Sequence, residues 1–170
     1  SQTNGCEWHE LLGMKNVKNR GISSDVIQGF IDRVDPIVEG QPAKVFILGG
    51  VNDISHDLTP DSLCTSMEKL IVKIKQGSPR TKIYLQSLLP IDNSFGRYRK
   101  MVGKEQVIVE TNRLYKEMAE RHGVTWIDLY SKMVDPATGS MRKGLTNDGL
   151  HLLGAGYLVW RDAVVACVKG

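Results

Sequence analysis

Four residues near the C-terminus, Asp148-Gly149-Leu150-His151, set a carboxylate three positions ahead of an imidazole, just before a helical stretch. The glycine between them lets the backbone bend, so that both side chains can face one cleft. A histidine held by an aspartate is the base half of a nucleophilic hydrolase. The imidazole takes a proton from a hydroxyl, and the carboxylate fixes its tautomer and steadies the imidazolium. The same spacing also suits a helix cap with a surface histidine beside it. Gly50-Val51-Asn52-Asp53 follows the most apolar strand of the chain, where the Asn52 amide can donate to a developing oxyanion while Asp53 pins the loop. An ordinary turn with side-chain hydrogen bonds accounts for the same residues. In Arg20-Gly21-Ile22-Ser23, Gly21 offers an unobstructed N–H as a second donor, or else makes a plain turn into a helix.

These segments need elements to position them, and the hydrophobic pattern supplies a set. Val45–Leu48, Lys82–Ser87 and Val124–Asp128 read as strands, and Asn16–Arg20 as a weaker one. Helical spacing places Val26, Ile27, Phe30, Ile31 and Val34 on one face, behind the capping candidates Ser24 and Asp25 and ahead of Pro36. Leu63, Met67, Leu70, Ile71 and Ile74 share another face after Thr59-Pro60, where proline suits the first turn. Val107 to Met118 and Tyr157 to Val168 complete the long helices, and Trp8, Leu11 and Leu12 mark a short one. Strands alternating with helices imply βαβ units and a parallel sheet covered on both faces, with the site at the C-terminal strand ends. The expected fold is therefore α/β, a three-layer sandwich around a parallel sheet of about five strands in one domain over residues 1–170.

A chain of 170 residues can bury one sizeable core. Its 22 Lys and Arg are spread among 19 Asp and Glu, and no basic block alternates with aromatics, so nucleic-acid binding has no electrostatic footprint. No apolar run reaches the roughly 20 residues of a membrane span, and no signal peptide is visible, which leaves the compartment open. Cys6, Cys64 and Cys167 lie far apart without zinc-like spacing and read as free or buried thiols. His9, His56 and His122 read as surface or packing residues, Trp8, Trp126 and Trp160 as core, and Asp53 and Asp128 as structural.

Taken together, Asn19-Arg20-Gly21-Ile22-Ser23, Gly50-Val51-Asn52-Asp53 and Asp148-Gly149-Leu150-His151 resemble, in order and spacing, three sequence blocks of the SGNH hydrolases, the GDSL-like lipase/acylhydrolase superfamily. Ser1-Gln2-Thr3-Asn4-Gly5 is similar to the rest of that family's first block, its Ser-x-Thr-x-Gly, which makes Ser1 the nucleophile. The Gly-Asp or Gly-Asn that precedes this serine in the family does not stand ahead of Ser1. The resemblance implies a flavodoxin-like strand order with a central first strand, so a further strand ahead of Ser1, or another segment or chain in its slot, is expected. It also implies attack by the Ser1 hydroxyl on an ester, with His151 as base, Asp148 orienting it, and an oxyanion hole from Ser1 N–H, Gly21 N–H and Asn52.

No metal or organic cofactor is implied. The implied partner is a small-molecule or carbohydrate ester, most closely an O-acetylated carbohydrate, since residues 16–24 are most similar to the sialate O-acetylesterase and acetylhydrolase branch. The loops at Leu88-Leu89-Pro90 and Asp92–Arg99 would border the leaving group, with Arg97, Tyr98 and Arg99 either touching a sugar or merely solvated. Lysophospholipase or thioesterase chemistry of the same family is the alternative. An N-terminal-nucleophile hydrolase, with the Ser1 amine as base, fits the α/β pattern and the Asp148/His151 pair less well. If Ser1 is not the nucleophile, a non-catalytic carbohydrate-binding domain of degenerate SGNH fold is the reading that remains.

Overall fold

The computed structural model describes residues 2–170. In chain order the helices are α1 (Trp8–Leu12), α2 (Ile27–Asp32), α3 (Asp35–Glu39), α4 (Val51–Ser55), α5 (Pro60–Gly77), α6 (Glu105–Arg121), α7 (Tyr130–Met133) and α8 (Gly154–Lys169), and the strands are β1 (Lys44–Ile47), β2 (Lys82–Gln86) and β3 (Thr125–Ile127). Short 3-10 turns lie at Gln2–Gly5, Asn93–Phe95 and Arg99–Met101. Packing divides the chain into two compact units.

One unit comprises Val26–Leu88 and Gln106–Ile127 and contains the sheet. Its strands run parallel in the order β1-β2-β3, with Val45 opposite Ile83 and Leu85 opposite Trp126. Parallel neighbours need helical crossovers, and α5 and α6 supply them. Helix α5 starts where the sequence places it: Thr59 Oγ1 accepts the Ser62 N–H, and Pro60 occupies the first turn. Its stripe of Leu63, Met67, Leu70, Ile71 and Ile74 is buried. Each such side chain contributes roughly 1.5–3 kcal/mol relative to exposure.

Helix α6 ties down the C-terminal ends of two strands. The Tyr115 hydroxyl donates to the Gly49 carbonyl just beyond β1, at 3.1 Å. The buried Asn112 side chain accepts the Leu88 N–H at 2.7 Å and donates to the Leu88 carbonyl at 3.1 Å, standing in for a strand partner just past β2.

The other unit gathers the described residues of Ser1–Asp25 together with Leu89–Glu105 and Asp128–Gly170. Helix α8 buries Tyr157, Trp160 and Val164. The half-buried Trp8 of α1 packs edge-on against Trp160, with ring centres 4.8 Å apart, and against Tyr157 at 6.1 Å. Turns and isolated bridges hold the rest, including Val134 with Met141 and Thr146 with Leu152.

The α/β class and parallel sheet are as expected, with differences in detail. Among the described residues the sheet has three strands rather than about five. The expected strand Asn16–Arg20 is irregular chain. Val17 is its one apolar residue, and the Asn19 side chain engages neighbouring backbone groups, so it presents no pleated apolar face. The strand expected ahead of Ser1 lies outside the described residues. Ser24 and Asp25 do not cap α2, because Ser24 sits at φ 63° and Val26 holds the cap position. The buried Asp53 carboxylate does so from α4, accepting the Ile27 N–H at 3.3 Å. Pro36 does not end α2 but lies in the first turn of α3.

Candidate active site

The run from Leu145 to Leu153 folds back on itself. The Thr146–Leu152 bridge and a 2.8 Å bond from Leu153 N–H to the Leu145 carbonyl close it. Inside this loop Thr146 Oγ1 accepts the N–H groups of Asp148 and Gly149. Gly149 takes φ 89°, a conformation costly for any residue with a Cβ. A Cβ there would lie 2.1 Å from the Asp92 carbonyl oxygen. The close approach is bonded in turn, since Asp92 N–H donates to the Gly149 carbonyl at 2.9 Å.

That geometry turns Asp148 and His151 toward each other. Asp148 Oδ1 accepts the backbone N–H groups of Leu150 and His151, both at 2.8 Å. Asp148 Oδ2 lies 2.8 Å from His151 Nδ1. Burial by itself would raise the Asp148 carboxyl, but the N–H groups of His151 and Leu150 and the side chains of His151 and Tyr98 outweigh it, holding the group far below the usual carboxylate range. An ionised Asp148 can only accept, so Nδ1 carries the proton and Nε2 keeps the lone pair, the tautomer a general base requires.

Tyr98 completes the cluster. Its hydroxyl lies 3.0 Å from both Asp148 Oδ2 and His151 Nδ1, and its ring meets the imidazole edge-on with centres 5.7 Å apart. The sequence offers Tyr98 only as a possible sugar contact, because nothing local announces a bond spanning 50 residues.

The remaining expected site residues fall as follows. Ser1 lies outside the described residues. Its neighbour Gln2 is buried and fixed at both ends: its side-chain amide donates to the Leu150 carbonyl at 3.1 Å, and its own carbonyl accepts the Tyr157 hydroxyl at 2.6 Å. Gly21 packs against this N-terminal segment, where a Cβ would lie 2.0 Å from Thr3 Oγ1. Asn19 knits the two stretches together, donating to the Thr3 carbonyl and to Asn4 Oδ1 while accepting the Gly21 N–H, each at 2.9 Å. The Gly21 N–H therefore points at Asn19 Oδ1.

Asn52 belongs to the sheet-bearing unit, half-buried in α4 rather than in an open turn. Gly50 precedes that helix at φ 130°, where a Cβ would crowd Leu63 and Tyr115. The Asn52 carbonyl accepts the Ser55 hydroxyl at 2.7 Å and lies 2.8 Å from His56 Nδ1. Asp128 caps its own turn at Ser131 N–H, as a structural residue. Among the described residues, no group of three His, Cys, Asp or Glu side chains gathers to hold a metal ion, and no helix is long and apolar enough to cross a membrane.

Residues 2–159 match the GDSL-like Lipase/Acylhydrolase family, and the chain belongs to it. Solved structures of similar fold include a Streptococcus pneumonia protein provisionally named a platelet activating factor. It is 27% identical with a TM-score of 0.89, over 99% of this chain and 80% of that one. A lipase/acylhydrolase from Enterococcus faecalis is 25% identical with a TM-score of 0.70, over 86% and 72% of the two chains. A variant of an acetyl-xylooligosaccharide esterase from Geobacillus stearmophilus, 17% identical with a TM-score of 0.72 over 89% and 71%, shares the fold. No curated protein matches the chain.

Proposed function

We propose that this acylhydrolase-family chain is a serine esterase that removes small acyl groups, acetyl first among them, from O-acylated carbohydrate. The Ser1 hydroxyl attacks the ester carbonyl, His151 Nε2 takes its proton, and Asp148 steadies the imidazolium. The tetrahedral oxyanion is met by the N–H groups of Ser1 and Gly21 and by the Asn52 amide, the Gly21 N–H leaving or sharing Asn19 Oδ1 to do so. Collapse expels the alcohol, protonated by His151, and water then hydrolyses the acyl-enzyme with His151 again as base.

The observation that carries this reading is the anchoring of Gln2. The residue next to Ser1 is bonded to Leu150, the residue next to a histidine whose tautomer is already set for base catalysis. The small, hydrated substrate is favoured by the loop bearing Tyr98, whose flanking Arg97, Arg99 and Lys100 are exposed and polar. The shared fold of an acetyl-xylooligosaccharide esterase agrees with it.

Acetate release from acetylated xylo-oligosaccharides and acetylated sugars, run beside esters of long-chain acids, tests the reading. Turnover of the acetyl esters, lost by about a hundredfold or more in His151→Ala, is expected. Faster turnover of the long-chain esters would overturn the small-acyl assignment in favour of lysophospholipase or thioesterase chemistry. A His151→Ala protein of normal rate would overturn the mechanism.

A further inference from the structure

Tyr98 sits between two 3-10 turns, in a loop built to hold it still. Its carbonyl accepts the Met101 N–H at 2.8 Å, and Met101 is buried. Asn93 braces the same loop by donating to the Met101 carbonyl and to Glu105. Ile91 and Asp92 fasten its leading end to Met141 and Gly149 through backbone bonds of 3.1 and 2.9 Å. The half-buried tyrosine is thus delivered to the Asp148–His151 pair by a fixed frame.

Proton counting assigns the direction of each bond. Tyr98 has one proton to give, and burial followed by its bond to Asp148 raises its hydroxyl above the ordinary phenol value, so it stays protonated at neutral pH. His151 Nδ1 already carries a proton, so the hydroxyl donates to Asp148 Oδ2, and its oxygen faces the Nδ1–H as a second acceptor. Three groups then close a ring of hydrogen bonds in which neither the carboxylate nor the imidazole can rotate without breaking two contacts. With the backbone N–H groups of Leu150 and His151 on Oδ1, the carboxylate is filled on both oxygens.

We propose that Tyr98 is a positioning residue of the esterase, locking the rotamers of Asp148 and His151 through its hydroxyl rather than binding substrate. The inference rests on His151 serving as the base. Tyr98→Phe keeps the ring and the edge-on contact and removes only the hydroxyl. For this variant we expect kcat to fall about ten- to a hundredfold, the loss typical of one hydrogen bond to a charged group, with KM changed less than twofold. The NMR resonance of the proton on His151 Nδ1 should shift or broaden in the variant. In the unsubstituted protein that proton should show a nuclear Overhauser contact to the Tyr98 ring.

An unchanged kcat, a rise confined to KM, or an absent Overhauser contact would overturn the proposal. The NMR readouts need no turnover. An active His151→Ala protein would therefore break the base assignment while the Tyr98 contact is judged separately.

Discussion

Asp148 receives five donors: the N–H groups of Leu150 and His151, the Thr146 hydroxyl, the Tyr98 hydroxyl and His151 Nδ1. Such a carboxylate is committed to the ionised state, and its ionisation is linked to stability. Its folded value lies below the unfolded one, so its contribution is complete above the unfolded value near pH 4 and is lost as pH falls through the folded value. Asp148→Asn should destabilise the protein by about 1.5–3 kcal/mol at neutral pH. The difference in Tm from the unsubstituted chain should stay level above about pH 5 and narrow below pH 4. Melting curves of both proteins between pH 2 and 7 check this, and a gap independent of pH would contradict it. The Asp148–His151 pairing was legible in the sequence because both residues lie within four positions and Gly149 marks the bend. Tyr98 was not, since its approach depends on a loop whose course is set by Asp92, Asn93 and Met101 rather than by any local pattern.

Between residue and molecule stand the short elements that carry the site, and here the sequence was only partly readable. The long helices declared themselves through period and caps, as in Thr59-Pro60 before α5. Helices α3, α4 and α7 have only four or five residues, too few to display a period, so Asn52 was expected in a turn and stands in a helical one. Segment 16–20 shows the opposite failure, a strand-like reading defeated by the Asn19 side chain, which bonds across to residues 3 and 4. The loop around Gly149 allows a sharp test of close packing. Gly149→Ala adds a methyl facing the Asp92 carbonyl at a positive φ, whereas Gly139→Ala meets open space at φ 73°. Both substitutions carry the backbone penalty of roughly 1–2 kcal/mol. Gly149→Ala alone should also displace the loop holding Tyr98 and abolish most activity. Equal Tm and equal rates for the two variants would show that the contact between residues 92 and 149 does not position the site.

At the scale of the whole chain, the parallel α/β fold agrees with what strand and helix alternation predicted, and the family match over residues 2–159 agrees with what the resemblance of the three sequence blocks implied. Alternation is legible because parallel strands are buried on both faces and need helices between them, so apolar runs and helical periods must interleave. The number of strands was less so, because strand-like composition does not say whether a ladder partner is at hand. The proposed mechanism depends most on Ser1, whose neighbour Gln2 is bonded to Leu150, next to His151. Mass spectrometry of the intact protein after treatment with a serine-reactive fluorophosphonate, followed by peptide mapping, tests that dependence directly. A single adduct on Ser1 is expected, forming slower by about a hundredfold or more in His151→Ala. An adduct on a different residue, or none in a protein that still hydrolyses esters, would contradict it.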